Sequence, residues 1–206
     1  MIDKEIEAII FDYGGVLINL DYQSTIDAFE ELGISNFDEM YSQAAQSNLF
    51  NDIETGQITP SYFVNSLLEF LPKGTSKIQV INAWNAMIKN VPRCSIHLIE
   101  SLQKKGYQLF LLSNTNQLHI DIADREWNKV SHLTIQSMFD AVYYSHEIKM
   151  RKPNREIFEF VCNQNQLTPS KTLFVDDSIQ HIEGARKIGL KTIHLEKMAD
   201  LQVLFS

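Results

Sequence analysis

Four short polar stretches in this sequence each lie at or just past the end of a predicted strand. Asp12 ends the run from Ala8 to Phe11 and precedes Gly14-Gly15. Ser113-Asn114 follows Leu109 to Leu112, and Asp176-Asp177 follows Thr172 to Val175. Lys152 lies in the loop 147–153, which also carries Lys149, Arg151 and Pro153. Three carboxylates gathered at one place repel one another, and burying them unpaired is costly. A hard divalent cation resolves that repulsion. Mg²⁺ takes oxygen ligands, keeps several waters and uses one or two carboxylates plus a substrate phosphate. Asp12, Asp176, Asp177 and the backbone carbonyl of Gly14 could supply such a half-shell. Ser113 and Asn114 offer a hydroxyl, an amide and backbone N–H groups to phosphate oxygens. Lys152 adds positive charge for a phosphate or for the Asp12 carboxylate. In that setting Asp12 could attack phosphorus and form an aspartyl-phosphate, while the cation, Lys152, Ser113 and Asn114 hold the equatorial oxygens. Each stretch alone has a plainer reading. Asp12 could be a turn residue, Asp176-Asp177 an N-cap pair ahead of Ser178, Ser113-Asn114 a cap, and Lys152 a solvated loop lysine. Their recurrence at one kind of position argues for a site.

The elements that must position these residues follow from apolar periodicity. Ile9, Ile10 and Phe11 form a short β-branched and aromatic run, the pattern of a strand buried on both faces. Gly14 and Gly15 then permit a turn that a Cβ would obstruct. Asp12 is thereby presented at the carboxyl end of a central strand, the edge where open α/β sheets bind ligands. Further strands are predicted at 107–112, 141–144, 172–175 and about 191–195. Helices are predicted at about 94–105, 123–130 and 156–166, and through Ile182, Ala185 and Ile188 to a stop at Gly189. This alternation indicates an α/β fold with a parallel sheet and right-handed crossovers.

Residues 22–90 break the alternation, because they read as helix throughout. One helix runs through Ile26, Phe29 and Leu32 and stops at Gly33. A second passes through Phe37, Met40, Tyr41, Ala44 and Ala45. Thr59-Pro60 opens a third, through Phe63, Leu67, Leu68 and Leu71. Thr75 or Ser76 caps a fourth, through Ile78, Ile81, Trp84, Ala86 and Ile88. The block is expected to be an all-helical insertion packed as a small bundle.

Composition bounds the partners. The chain has 206 residues, a formal net charge of −8 and 44% hydrophobic residues. That charge argues against nucleic acid or an anionic membrane as the main partner. It also means that any anion site must be locally cationic. Cys94 and Cys162, the two cysteines, are expected to be buried free thiols of a reducing compartment. No signal-like leader or run long enough to span a bilayer is read, so a cytoplasmic location is expected.

At these residues the chain resembles the haloacid dehalogenase superfamily of phosphohydrolases. Phe11-Asp12-Tyr13-Gly14-Gly15-Val16 matches its first motif and Leu111-Leu112-Ser113-Asn114 its second. Arg151-Lys152-Pro153 matches the third, and Val175-Asp176-Asp177-Ser178 the fourth. The resemblance implies a Rossmann-like core at 1–19 and 91–206, with a small helical cap at 20–90 that closes over the site. It implies Mg²⁺, an aspartyl nucleophile at Asp12 and a small phosphorylated metabolite as substrate; a monomer or weak homodimer is expected. One departure stands out. Most phosphatases of the family carry a second Asp two positions after the nucleophile, as general acid and base; here that position is Gly14. A general acid typically contributes roughly a hundred- to ten-thousand-fold in rate. With Ser113-Asn114-Thr115-Asn116, Met150 to Pro153 and Ile182 to Ala185, the glycine looks most like the glucose-1-phosphatase-like branch, whose resemblance still implies phosphatase activity. A sugar phosphate such as an aldose 1-phosphate is the expected substrate. Asp21, Glu54 and Trp84 are candidate readers of the leaving group, with Glu54 expected in an interhelix loop beside Gly56. Two rivals stay open: a 2-haloacid dehalogenase, against which Asp176-Asp177 argues, and a regulatory protein that binds phosphate ligands without turnover.

Overall fold

The computed structural model describes residues 3–34, 36–37, 41 and 48–205. Five strands form one sheet: β1 (Ala8–Phe11), β2 (Gln108–Ser113), β3 (Ala141–Tyr144), β4 (Thr172–Asp176) and β5 (Lys191–His194). Their order is β3-β2-β1-β4-β5, and every neighbouring pair is parallel. Successive side chains on a strand point to opposite faces. Ile9 and Phe11 therefore join Leu109, Leu111 and Val175 in one apolar cluster. Ala8 and Ile10 join Phe110, Leu112 and Phe174 in another. A sheet covered on both faces is what makes β1 a continuous apolar run instead of an alternating one.

Between β1 and β2 the chain forms α1 (Tyr22–Glu31), α2 (Leu49–Glu54), α3 (Pro60–Leu68) and α4 (Lys77–Asn85). These helices share an apolar cluster of their own, including Phe29, Ile53, Phe63, Leu67, Val80 and Trp84. The caps follow the sequence. The Thr59 side chain accepts from the Tyr62 N–H at the start of α3. Ser76 and Gln79 form a reciprocal capping box at α4. Of the second predicted helix, Met40, Ala44 and Ala45 lie outside the described residues. Helix α2 is a correction: Glu54, expected in an interhelix loop, is its last residue. Six residues with only Leu49 and Ile53 buried are too short to show a period. The fourth helix stops at Asn85, short of the predicted Ile88, which instead bridges Leu20 in antiparallel fashion. The segments entering and leaving the block thus pair as a ribbon, through Asn19 N–H to Asn90, Asp21 N–H to Met87 and Lys89 N–H to Asn19.

Past the block come α5 (Arg93–Lys104), α6 (Gln117–Asn128), α7 (Ile135–Met138), α8 (Ser145–Ile148), α9 (Arg155–Gln164), α10 (Ile179–Arg186) and α11 (Leu201–Leu204). Ile99 and Leu102 of α5, with Ala123 and Trp127 of α6, cover one face of the sheet. Phe158 and Val161 of α9, with Ile182 and Ala185 of α10, cover the other. Helix α6 starts six residues before the predicted point because the Asn116 side chain caps it, accepting from the His119 N–H. Cys162 is buried as expected, but Cys94 is exposed. It sits one residue into α5, on the side away from the sheet-facing Ser95, Ile96 and Ile99. No described helix is long and apolar enough to cross a membrane.

One glycine ties the far face of the sheet to the loop carrying Lys152. A Cβ on Gly184 of α10 would lie 2.4 Å from the Pro153 carbonyl oxygen and 3.0 Å from the Phe158 ring. The helix therefore packs directly on that backbone. Gly184→Val should cost about 1–3 kcal/mol through overpacking, a fall of several degrees in Tm by differential scanning calorimetry. An unchanged Tm would show that the loop yields freely.

Candidate active site

Three neighbouring strands end around one lysine. Lys152 has no exposed surface. Its Nζ lies 2.9 Å from Asp12 Oδ1, 2.7 Å from Asp176 Oδ2 and 2.9 Å from the Leu112 carbonyl oxygen. The ammonium has three donors, and here each has an acceptor. Asn114 fixes the lysine backbone, donating from Nδ2 to the Lys152 carbonyl and accepting the Lys152 N–H on Oδ1, both at 2.9 Å. Ser145 Oγ accepts from the Thr115 N–H and donates to the Thr115 carbonyl, pinning the turn beyond β2 to the start of α8.

Asp12 accepts a further bond on Oδ1 from the Tyr13 N–H, at 2.7 Å. Its Oδ2 is not taken by the lysine. Asp176 accepts the Ser178 N–H on Oδ1, as an N-cap residue would, and its carboxylate also meets His181 Nδ1 at 2.9 and 3.0 Å. Burial pushes the Asp176 carboxyl up, but Lys152 and His181 outweigh it and hold it well below the usual carboxylate range. Burial lifts Asp12 above that range against the pull of Lys152, with Asp176 adding to the rise. Burial and then the Asp176 charge also lift Asp177. Two carboxylates thus share one ammonium with Asp177 close by, and the excess negative charge suits a cation. The donor atoms of Asp12, Asp176 and His181 all lie within 4.8 Å of one another. Oxygen donors dominate the cluster, as Mg²⁺ requires.

Of the residues expected at the site, Asp12, Lys152 and Asp176 meet directly. Gly14, Ser113, Asn114 and Asp177 line the same cavity as Asp12. The Asn114 side-chain amide is committed to the Lys152 backbone instead of facing outward. Asp177 lies beyond the Asp12–Asp176–His181 trio and packs over Gly15, where a Cβ would fall 2.2 Å from its Oδ2. His181 is the residue that sequence reasoning missed. It stands five positions after Asp176, in the first turn of α10, and that spacing was the available signal. Among the leaving-group candidates, Asp21 is exposed and bonds Ser24. Trp84 and Glu54 line the cavity.

The cavity encloses about 520 Å³ between the sheet edge and the helical block. The block contributes Tyr22, Phe50, Glu54 and Trp84, and the core contributes Arg151, His119 and Ser113. Two contacts join the halves. The Trp84 and His119 rings stack with centroids 4.9 Å apart, and His119 Nε2 lies 3.3 Å from the Trp84 carbonyl. Arg151 Nη2 lies 3.0 Å from Glu54 Oε2, while Nη1 donates to Asn51 Oδ1 at 3.1 Å. Arg151 thus anchors its loop to α2.

Comparison with known proteins agrees with this geometry. Residues 9–195 match the family model of haloacid dehalogenase-like hydrolases. A D-ribitol-5-phosphate phosphatase of Bacteroides thetaiotaomicron is 29% identical over 195 residues, covering 95% of this chain and 94% of that one. A sesquiterpene phosphatase of Aspergillus oryzae is 24% identical, over 92% and 89%. Among solved structures, an enzyme of this family from Bacteroides thetaiotaomicron, in complex with magnesium and inorganic phosphate, superposes with a TM-score of 0.90. It is 33% identical, over 98% of this chain and 100% of that one.

Two outcomes follow from the electrostatics. Lys152→Met leaves Asp12 and Asp176 buried without their shared ammonium, so urea unfolding should show a loss of about 3–5 kcal/mol. A loss below 1 kcal/mol would mean that the lysine is not what holds the two carboxylates. Burial lowers His119 to about 4, against the opposing hydrogen bond to the Trp84 carbonyl. The unfolded chain takes up a proton near pH 6.5 that the folded ring refuses. His119 therefore contributes a fall in stability as pH drops from about 6.5 to 4, at most about 1.4 kcal/mol per unit. His119→Phe should show a shallower fall than the wild type over that window.

Proposed function

The chain belongs to the haloacid dehalogenase-like hydrolases, and on that premise we propose that it cleaves a small phosphorylated metabolite by nucleophilic attack from Asp12. The enzyme is a phosphatase, and its cofactor is Mg²⁺. The observation that carries the reading is the buried Lys152 ammonium bridging Asp12 and Asp176, with negative charge left over. Asp12, Asp176, Asp177 and the Gly14 carbonyl are the groups proposed to hold the metal. When bound, Mg²⁺ neutralises charge on the phosphoryl oxygens.

In this reading Lys152 and the Tyr13 N–H fix Asp12 Oδ1, which orients Oδ2 toward phosphorus. The new Asp12–phosphorus bond forms as the ester oxygen departs with its electron pair. Water then attacks the aspartyl-phosphate, releasing inorganic phosphate and restoring the carboxylate. Ser113 offers its hydroxyl to the phosphoryl oxygens, and Lys152 carries positive charge beside them. No side chain reaches the leaving oxygen from position 14. Leu20 fills that space, with Cδ1 only 2.6 Å from where a Cβ on Gly14 would sit. Leaving groups of low basicity are favoured for that reason, such as the hemiacetal oxygen of an aldose 1-phosphate.

Residues 20–90 act here as a cap that closes over residues 1–19 and 91–206. Their separate apolar core and their share of the cavity wall support that division. The net charge of −8 favours a small metabolite over nucleic acid or an anionic membrane as partner, and a monomer or weak homodimer would suffice.

Phosphate release from a panel of sugar phosphates and other monoesters, with Mg²⁺ and with chelator, tests the whole reading. Release should require Mg²⁺ and fall at least a thousandfold in Asp12→Asn, since the covalent step is removed. The rate should also climb as leaving-group basicity falls. Equal turnover of simple alkyl and anomeric phosphates would refute the role given to Gly14, and metal-independent release would refute the site.

A further inference from the structure

The cavity wall facing Asp12 is mostly aromatic and aliphatic, with Leu20, Phe50 and Trp84 among its residues. Into it project the two charged side chains Glu54 and Arg151. Glu54 Oε2 and Arg151 Nε are both buried, and neither makes a hydrogen bond among the described residues. The ion pair between Oε2 and Nη2 at 3.0 Å balances their charge, and both side chains keep exposed surface, 33% for Arg151 and 27% for Glu54. Arg151 and Glu54 line the same cavity as Asp12, so a group that engages the pair shares that cavity with the reacting centre. Buried groups of this kind cost free energy unless a partner arrives.

We propose that Glu54 and Arg151 together read hydroxyl groups on the leaving group, so that the substrate is the phosphomonoester of a polyhydroxylated carbon chain. The proposal rests on the phosphatase reading above and deepens it. A hydroxyl is both donor and acceptor. One hydroxyl can donate to the carboxylate while it or its neighbour accepts from the guanidinium. The apolar side chains of the wall then pack beside the C–H groups of the same chain. An apolar alcohol would seal the pair from water and offer it nothing, and sites built for a hydroxyl reject the analogue that lacks it. Asn51, which accepts from Arg151 Nη1, holds the guanidinium plane in place.

The test compares two esters of equal length, a pentitol 5-phosphate and n-pentyl phosphate, with p-nitrophenyl phosphate as a third substrate. Wild-type kcat/KM should favour the pentitol ester over the pentyl ester by at least a hundredfold. In Glu54→Gln and in Arg151→Lys that ratio should shrink about 10- to 100-fold, the scale of one charge-assisted hydrogen bond. The readout is the ratio, so a general loss of activity does not mimic the result. A simple latch between helix and loop would lower all three rates together and leave the ratio intact, which would overturn the proposal. A wild-type ratio near one would overturn it without any variant, should the variants fail to fold. Mg²⁺-dependent hydrolysis of p-nitrophenyl phosphate alongside such a ratio would leave the phosphatase reading standing. Failure on all three esters would remove both.

Discussion

A fully buried ammonium must find three acceptors in fixed places, and the architecture of this chain follows from meeting that demand. The acceptors come from β1, β2 and β4, which lie side by side in the sheet. β2 gives the Leu112 carbonyl, β4 gives Asp176, and the residue after β1 is Asp12. In this order β1 lies between β2 and β4, which brings the three acceptors to one point. The registers Phe11↔Leu111 and Phe11↔Val175 set the strand ends level, so the carboxylates project from one edge. A lysine left there without them would carry a desolvation cost of several kcal/mol.

The loop bearing that lysine is held from both sides. Asn114 grips its backbone from the end of β2. From behind, α10 presses on Pro153 at Gly184, where there is no Cβ to intervene. Arg151 carries the same loop across to α2. Position and charge are thereby coupled: the segment that sets the electrostatics of Asp12 also forms the seam with the helical block.

Much of this was legible in the sequence, and the reasons differ by element. The strands were readable because Ala8 to Phe11, Leu109 to Leu112 and Leu173 to Val175 are short, apolar and bounded by turn residues. The polar residues at their ends stood out against those runs. Lys152 was visible as a candidate, but its three partners lie 24 to 140 positions away and depend on tertiary packing. Asn114 shows the limit well. Its type suggested an outward-facing donor, and only the fold reveals that its amide serves the lysine backbone. His181 was overlooked because its five-residue spacing from Asp176 was the one hint, and only the fold turns the ring onto that carboxylate. Cys94 and Glu54 were misplaced for a simpler reason, since helix phase and short helices are poorly fixed by a few residues.

The paired segments on either side of the helical block have an evolutionary consequence. Asn19 and Asp21 leave the sheet hydrogen-bonded to the strand-like stretch Met87 to Asn90 that returns to it. An insertion whose two ends already touch adds little loop-closure cost to the host, whatever its length. Its interior can gain, lose or exchange helices without pulling on β1. The sheet edge can therefore stay constant while lineages rewrite the wall opposite it, and new chemistries of recognition can be grafted onto one unchanged reacting centre.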